Sequence, residues 1–137
     1  MSIDFQSSLG SVLAYSGWTL LHTGIMLGHR SFLINTGKAA PNSFAPSRDE
    51  SQSTFYGRVC ASHANCVENL VVFSSVVLAL NAAGGPNVTD LAWNVVYLRM
   101  GQSLCHWYDT SEAAVTVRFL FFVGQLGCIG TMLYRSM

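Results

Sequence analysis

The sequence predicts an all-α fold, an integral membrane bundle of four transmembrane helices, and three observations carry that expectation. Half of the 137 residues are apolar and only 10% are charged, with a mean hydropathy of +0.36. A soluble domain of this size carries about 25% charged residues to cover its surface, so most of this surface is expected to meet something other than water. Four apolar stretches, at about 9–34, 55–83, 88–107 and 112–134, approach the roughly 20 residues a helix needs to cross a bilayer. Backbone amides in hydrocarbon must bond internally, so such spans are expected as helices. The whole chain, 1–137, reads as one domain.

The first stretch, about Leu9 to Ile34, includes Trp18, Leu20, Leu21, Ile25, Met26 and Leu27. The segment before it, Met1 to Ser8, lacks a basic residue and a small-residue cleavage site. A retained span is therefore expected there rather than a signal peptide. Residues 35–54 form a polar loop in which Pro41 and Pro46 oppose helix. The second stretch, Phe55 to Ala83, turns at Ala83-Gly-Gly-Pro-Asn87 into the third, Val88 to Trp107. Tyr108-Asp-Thr-Ser-Glu112 is the last turn; Ser111 or Thr110 is placed to cap the fourth stretch, Glu112 to Tyr134, with Glu112 complementing the helix dipole.

Formal net charge is zero, which leaves no basic field for nucleic acid. Lys38, Arg48, Asp49 and Glu50 all fall in the long loop. With Arg30 and Arg58 beside that loop and only Arg135 opposite, the positive-inside tendency puts 35–54 in the cytoplasm. Cys60, Cys66, Cys105 and Cys128 all lie in apolar stretches, which is unlike a disulfide scaffold, so buried free thiols are expected. Cys60, His63 and Cys66 recur at three-residue steps, but a zinc site needs four ligands and no second pair is visible. No metal is expected.

The second stretch holds charge where charge is expensive. Arg58 and Glu68 lie at or within the hydrocarbon, and a charge near the bilayer centre costs about 3 kcal/mol on insertion scales. Arg58, Ala61, Asn65, Glu68 and Asn69 stay on one helical face. The third stretch repeats the pattern with Arg99, Gln102 and His106; the fourth adds Arg118, and the first ends at His29 and Arg30. Together these groups suit a pocket for a small zwitterion with carboxylates, because arginine binds carboxylates bidentately and keeps its proton when desolvated. Glu68 is suited to an ammonium group and Asn65 to an amide. The structural alternative is that Arg58, Glu68 and Arg99 form interhelical ion pairs, which have modest net worth in lipid. His63 points away from the Arg58–Glu68 face, and both it and His22 are expected to pack, as are Trp18, Trp93, Trp107 and Tyr134.

At these residues the sequence resembles the MAPEG family, membrane-associated proteins of eicosanoid and glutathione metabolism. The family's second helix carries Arg-x-x-Arg-Ala-His-x-Asn-x-x-Glu, seen here as Arg58-Val-Cys-Ala-Ser-His63-Ala-Asn65-Cys-Val-Glu68-Asn69. Thr36 to Phe44, Phe55-Tyr-Gly-Arg58, the Arg99/Gln102/His106 spacing and Arg118-Phe119 are similar to bacterial members. The resemblance implies a homotrimer of four-helix subunits in a bacterial inner membrane or an organelle membrane, binding glutathione as co-substrate between neighbouring subunits. Arg58, Asn65, Glu68 and Asn69 would hold the tripeptide, Arg99, Gln102 and His106 would complete the wall, and Arg30 would reach in from the adjacent subunit. Arg118 matches the catalytic arginine that faces the glutathione sulfur.

The implied activity is a membrane-bound glutathione transferase or peroxidase acting on lipophilic electrophiles or lipid hydroperoxides. This chain also departs from the family. Ala61 and Ala64 stand where active relatives often place arginine, Gln102 and His106 where several have His or Tyr, and Phe122 where prostaglandin E synthases have tyrosine. These departures disfavour eicosanoid synthesis. They keep open a non-catalytic scaffold of the same fold that binds lipid or a partner protein. A proton-coupled exchanger driven by Glu68 is disfavoured by the long first loop and the number of arginines.

Overall fold

The structure, a computed structural model, describes residues 4–44, 46 and 50–137. Arg48 and Asp49, counted above in the charge of the long loop, lie outside the described residues. The chain forms four helices, α1 (Ser8–Asn35), α2 (Phe55–Ala82), α3 (Thr89–Tyr108) and α4 (Glu112–Arg135), and no strand among the described residues.

Capping chemistry explains the helix ends. Ser7, Thr54 and Ser111 each turn a side-chain oxygen onto a backbone N–H three residues on, at 3.2, 3.0 and 3.3 Å, satisfying one of the donors a helix start leaves bare. Of the two candidate caps before α4, Ser111 is the one used. At the other ends, Gly37 and Gly84 adopt φ of 67° and 61°. The following N–H groups, of Lys38 and Gly85, reach back to the carbonyls of Leu33 and Leu80 at 2.9 Å in both cases. Such a Schellman turn needs a left-handed residue, which glycine supplies without a Cβ penalty.

Packing is in pairs. α1 lies along α2 and α3 along α4; α3 also meets α1 and α2, whereas α4 touches α2 only lightly. Tyr15, Cys66, Phe73, Val77, Ala92, Val95, Val96, Ile129 and Met132 fill the main core. A smaller cluster of Met26, Tyr56, Val59 and Cys60 lies between α1 and α2 near the long loop. α3 and α4 approach closely where glycine faces the other helix. A Cβ on Gly101 would sit 2.9 Å from the Phe121 ring, and one on Gly124 would sit 3.1 Å from Leu98. Small residues at a contact let helix axes close up, as membrane helix pairs commonly do.

Two helices, α2 and α4, are long and apolar enough to cross a membrane, with mean hydropathy of 1.4 and 1.6 over their best windows. Only 22% and 11% of those windows is buried, so most of their surface faces outward. Leu20, Leu27, Val71, Leu78, Leu120 and Leu133 are all about half exposed or more. α1 and α3 fall short of the same apolarity and turn several polar groups inward, His22, Arg99, Ser103 and His106 among them. All four cysteines are free thiols, with Cys60 and Cys66 buried.

Candidate functional site

Six of the polar residues singled out in the sequence meet in one place. Asn65, Glu68 and Asn69 of α2, Arg99 and Gln102 of α3, and Arg118 of α4 line a cavity of about 390 Å³, closed on its apolar side by Val115, Phe119 and Phe122. Helical spacing explains the convergence: each set recurs at three or four residues, so each helix turns one polar edge to the shared space. The light contact between α2 and α4 leaves that space open.

Arg99 is the centre of the site. It is the largest fully buried side chain, 2% exposed, and its Nε and Nη2 have no hydrogen-bond partner among the described residues. Its guanidinium lies 5.8 Å from the centre of the Tyr15 ring. Buried donors without acceptors are unfavourable, so an acceptor bonded at Nε or Nη2 gains that difference. Gln125, 1% exposed, donates from Nε2 to Gln102 Oε1 at 2.9 Å and to the Phe121 carbonyl at 3.1 Å. Asn69 donates from Nδ2 to the Asn65 carbonyl at 2.9 Å.

His106 belongs to an adjoining recess of about 210 Å³ that shares Asn65 and is otherwise lined by Gln52, Ala61 and Ala64. Its Nε2 meets Gln52 Oε1 at 3.0 Å, which ties α3 to the end of the long loop. Ala61 and Ala64 give this recess two small, uncharged walls.

Arg58 and Arg30 do not line the cavity. Arg58 donates from Nε to the Trp107 carbonyl at 2.9 Å, and from Nη1 to the carbonyls of Gln52 and Ser53 at 3.4 and 3.3 Å. It caps the end of α3 and fastens the loop. The loop approaches so closely that a Cβ on Gly57 would collide with the Ser51 carbonyl. Arg30 donates from Nε to Tyr56 Oη at 2.6 Å and lies 5.0 Å over the Phe44 ring, on the α1–α2 side of the chain.

The histidines expected to pack do so. His22, fully buried, bonds the Trp18 carbonyl through Nδ1 at 2.8 Å and Ser62 Oγ through Nε2 at 3.1 Å. His63 meets Thr23 Oγ1 at 3.1 Å, and Trp18 stacks on Trp107 with ring centres 5.5 Å apart. No group of three His, Cys, Asp or Glu is placed to hold a metal among the described residues.

Residue-level reading missed Gln125 and Val115, and took Phe119 only as part of the Arg118-Phe119 pair. Gln125 lies seven residues after Arg118, two turns along the same face, and that spacing was the available signal.

The fold and cavity define a class: an all-α protein with a largely apolar exterior and a charged recess walled by three helices. A family model described as the MAPEG family matches residues 8–137, nearly the whole chain. The chain belongs to the MAPEG family, which is membrane-associated and includes glutathione transferases and peroxidases as well as non-catalytic members. No curated protein and no solved structure matches it.

Proposed function

We propose that this protein is a membrane glutathione transferase or peroxidase that ionises the glutathione thiol for attack on lipophilic electrophiles or hydroperoxides. One observation carries the reading: Arg99, buried with its Nε and Nη2 unpartnered among the described residues, lines the same cavity as Arg118, Gln102, Asn65 and Glu68. Glutathione carries two carboxylates, an ammonium, two amides and a thiol. Arg99 answers a carboxylate, Glu68 the ammonium and Asn65 an amide, and a cavity of this size is typical of small-ligand sites.

Arg118 is assigned the sulfur. A thiol with pKa of about 8.5 or more is mostly protonated at neutral pH, and each unit of depression is worth about 1.4 kcal/mol. A guanidinium beside the sulfur in a poorly solvated site favours the thiolate. In transfer, the thiol proton passes to solvent, the thiolate forms a carbon–sulfur bond, and the leaving group departs with its electron pair. In the peroxidase reaction, two glutathiones are oxidised to the disulfide while the hydroperoxide is reduced to an alcohol and water. Val115, Phe119 and Phe122 offer an apolar flank from which a lipid-soluble electrophile can arrive.

All four helices are proposed to span a bacterial inner membrane or an organelle membrane, with 35–54 cytoplasmic. Asn65 and Glu68 are exposed on the single chain, about 15–20 Å along a 28-residue helix long and apolar enough to cross a membrane. Polar groups at that depth are costly against lipid. A second copy covering them completes the site in a homotrimer, to which Arg30 of the neighbouring subunit and Arg58 at the rim contribute. A second reading, a non-catalytic scaffold, draws support from the uncharged recess at Ala61 and Ala64.

Calorimetric binding of glutathione to the detergent-solubilised protein, wild type against Glu68→Gln, separates these readings when paired with conjugation of a generic aryl halide. Saturable binding weakened by Glu68→Gln, with turnover, supports the enzyme. Binding without turnover across a broad electrophile and hydroperoxide panel favours the scaffold, and absence of binding removes the glutathione reading.

A further inference from the structure

We infer that Gln125, which does not line the cavity, is a positioning residue that fixes the amide of Gln102 so that it presents N–H donors to the ligand anion. The inference rests on the glutathione reading and adds to it a residue acting from behind the wall.

The orientation follows from donor and acceptor inventory. Gln125 Nε2 lies 3.1 Å from the Phe121 carbonyl, which is an acceptor only, so the amide nitrogen of Gln125 must face it. The same nitrogen lies 2.9 Å from Gln102. The Gln102 atom there must therefore be its oxygen, because two amide nitrogens have no acceptor between them. With Oε1 turned to α4, the Nε2 donors of Gln102 are left for the cavity that Gln102 lines. A backbone carbonyl of α4 thus sets, through Gln125, the polarity of a cavity group on α3.

The helices hold this geometry tightly. Gly101 and Gly124, each adjacent to one of the two glutamines, let α3 and α4 approach the other's side chains closely. Gln125 is 1% exposed and its own Oε1 has no partner among the described residues. A core position that keeps a half-paired amide in place of an apolar side chain forgoes stability, and the Gln102 contact gives it a reason. The cavity wall from α3 and α4 then carries donors only, from Arg99, Gln102 and Arg118. Such a wall suits a carboxylate or thiolate, and a freely turning Gln102 would offer its carbonyl part of the time.

A double-mutant cycle tests this on the solubilised protein, with glutathione affinity and the pH at which the bound thiol ionises, read by thiolate ultraviolet absorbance, as the two readouts. Gln125→Met is expected to weaken glutathione binding by about tenfold and to raise the ionisation pH. In a Gln102→Met background the same change is expected to alter neither, because nothing remains to be positioned. Additive effects, or an unaltered Gln125→Met protein, would overturn the inference. Should Gln125→Met fail to fold, side-chain amide NMR of glutamine-labelled wild type decides it. The Gln102 amide protons, assigned by their loss in Gln102→Met, should shift on adding glutathione, and their indifference would overturn the proposal. Wild type that does not bind glutathione removes the functional reading itself, whereas binding with additive variants removes only the role of Gln125.

Discussion

The two halves of this bundle treat buried polar groups in opposite ways. Between α1 and α2, and along the flank of α3 that faces them, polar side chains are matched to one another. His22 takes Trp18 and Ser62, His63 takes Thr23, and Arg58 takes three carbonyls of α3 and the loop. Between α2, α3 and α4 the chain leaves Arg99 Nε and Nη2 and Gln125 Oε1 without partners among the described residues. A paired buried group supports the fold; an unpaired one is tolerated where something else completes it. The exceptions, Trp107 Nε1 on the first side and Tyr15 Oη beside Arg99, carry no charge and are cheaper to leave unpaired.

The sharpest way to break this contrast is to remove the side chain that carries the two unpartnered donors. Arg99→Met keeps length and burial but deletes every donor, and glutathione affinity is expected to fall by about 30-fold or more, the usual loss for one side of a buried charge-assisted contact. The ligand-free protein should be no less stable, since two buried unpartnered donors have gone. Calorimetric affinity and thermal midpoint in detergent check both. A large drop in midpoint with unchanged affinity would assign Arg99 to structure.

Arg118→Ala comes next. It should leave glutathione affinity within a few-fold and cut conjugation rate by about tenfold or more, with the thiol ionising at higher pH, because its proposed role is to stabilise the sulfur anion. Rate against pH with a saturating aryl halide measures it, and a pure KM effect would move Arg118 from catalysis to binding. On the matched side, His22→Phe leaves Ser62 without its acceptor, and a stability loss of about 1–3 kcal/mol is expected, read by chemical unfolding, with affinity within about twofold. Arg58→Met sharpens the comparison further. It is expected to loosen the α3 end by about 1 kcal/mol and to spare glutathione affinity within one subunit. An affinity loss rivalling that of Arg99→Met would return Arg58 to the site.

Much of this was legible before any coordinates. Apolar run length located the four helices, whose observed ends lie within one residue of the expected ones, because capping residues such as Ser111 stand at hydrophobic boundaries. Spacing also indicated that Asn65, Glu68, Asn69, Arg99, Gln102 and Arg118 share faces. It was silent on which helix pairs with which, and so on whether two polar faces meet. Arg58 lies on the same α2 face as Asn65, yet its long side chain runs along the helix to Trp107 and the loop. Gln125 escaped notice because one amide in an apolar run looks like noise until its partner on another helix is known.

The smallest effect concerns the turn that joins the cavity's two arginine-bearing helices. Asp109 follows α3 and accepts at Oδ1 from the N–H groups of Thr110 and Ser111, at 2.7 and 3.1 Å. Bonds from the Ser111 side chain and then from these two backbone groups hold its carboxyl below the ordinary value of 3.8. A depressed carboxyl stabilises the folded state fully above its unfolded value, and that contribution disappears as pH falls through the lower, folded value. The carboxyl is exposed to solvent, so the effect is slight. Thermal midpoints in detergent should dip below about pH 4 more in wild type than in Asp109→Asn, while glutathione affinity at neutral pH stays unchanged. Equal acid sensitivity in the two proteins would show that the turn is held by the packing of α3 on α4, through Gly101 and Gly124, and that the cavity wall needs no help from its connecting loop.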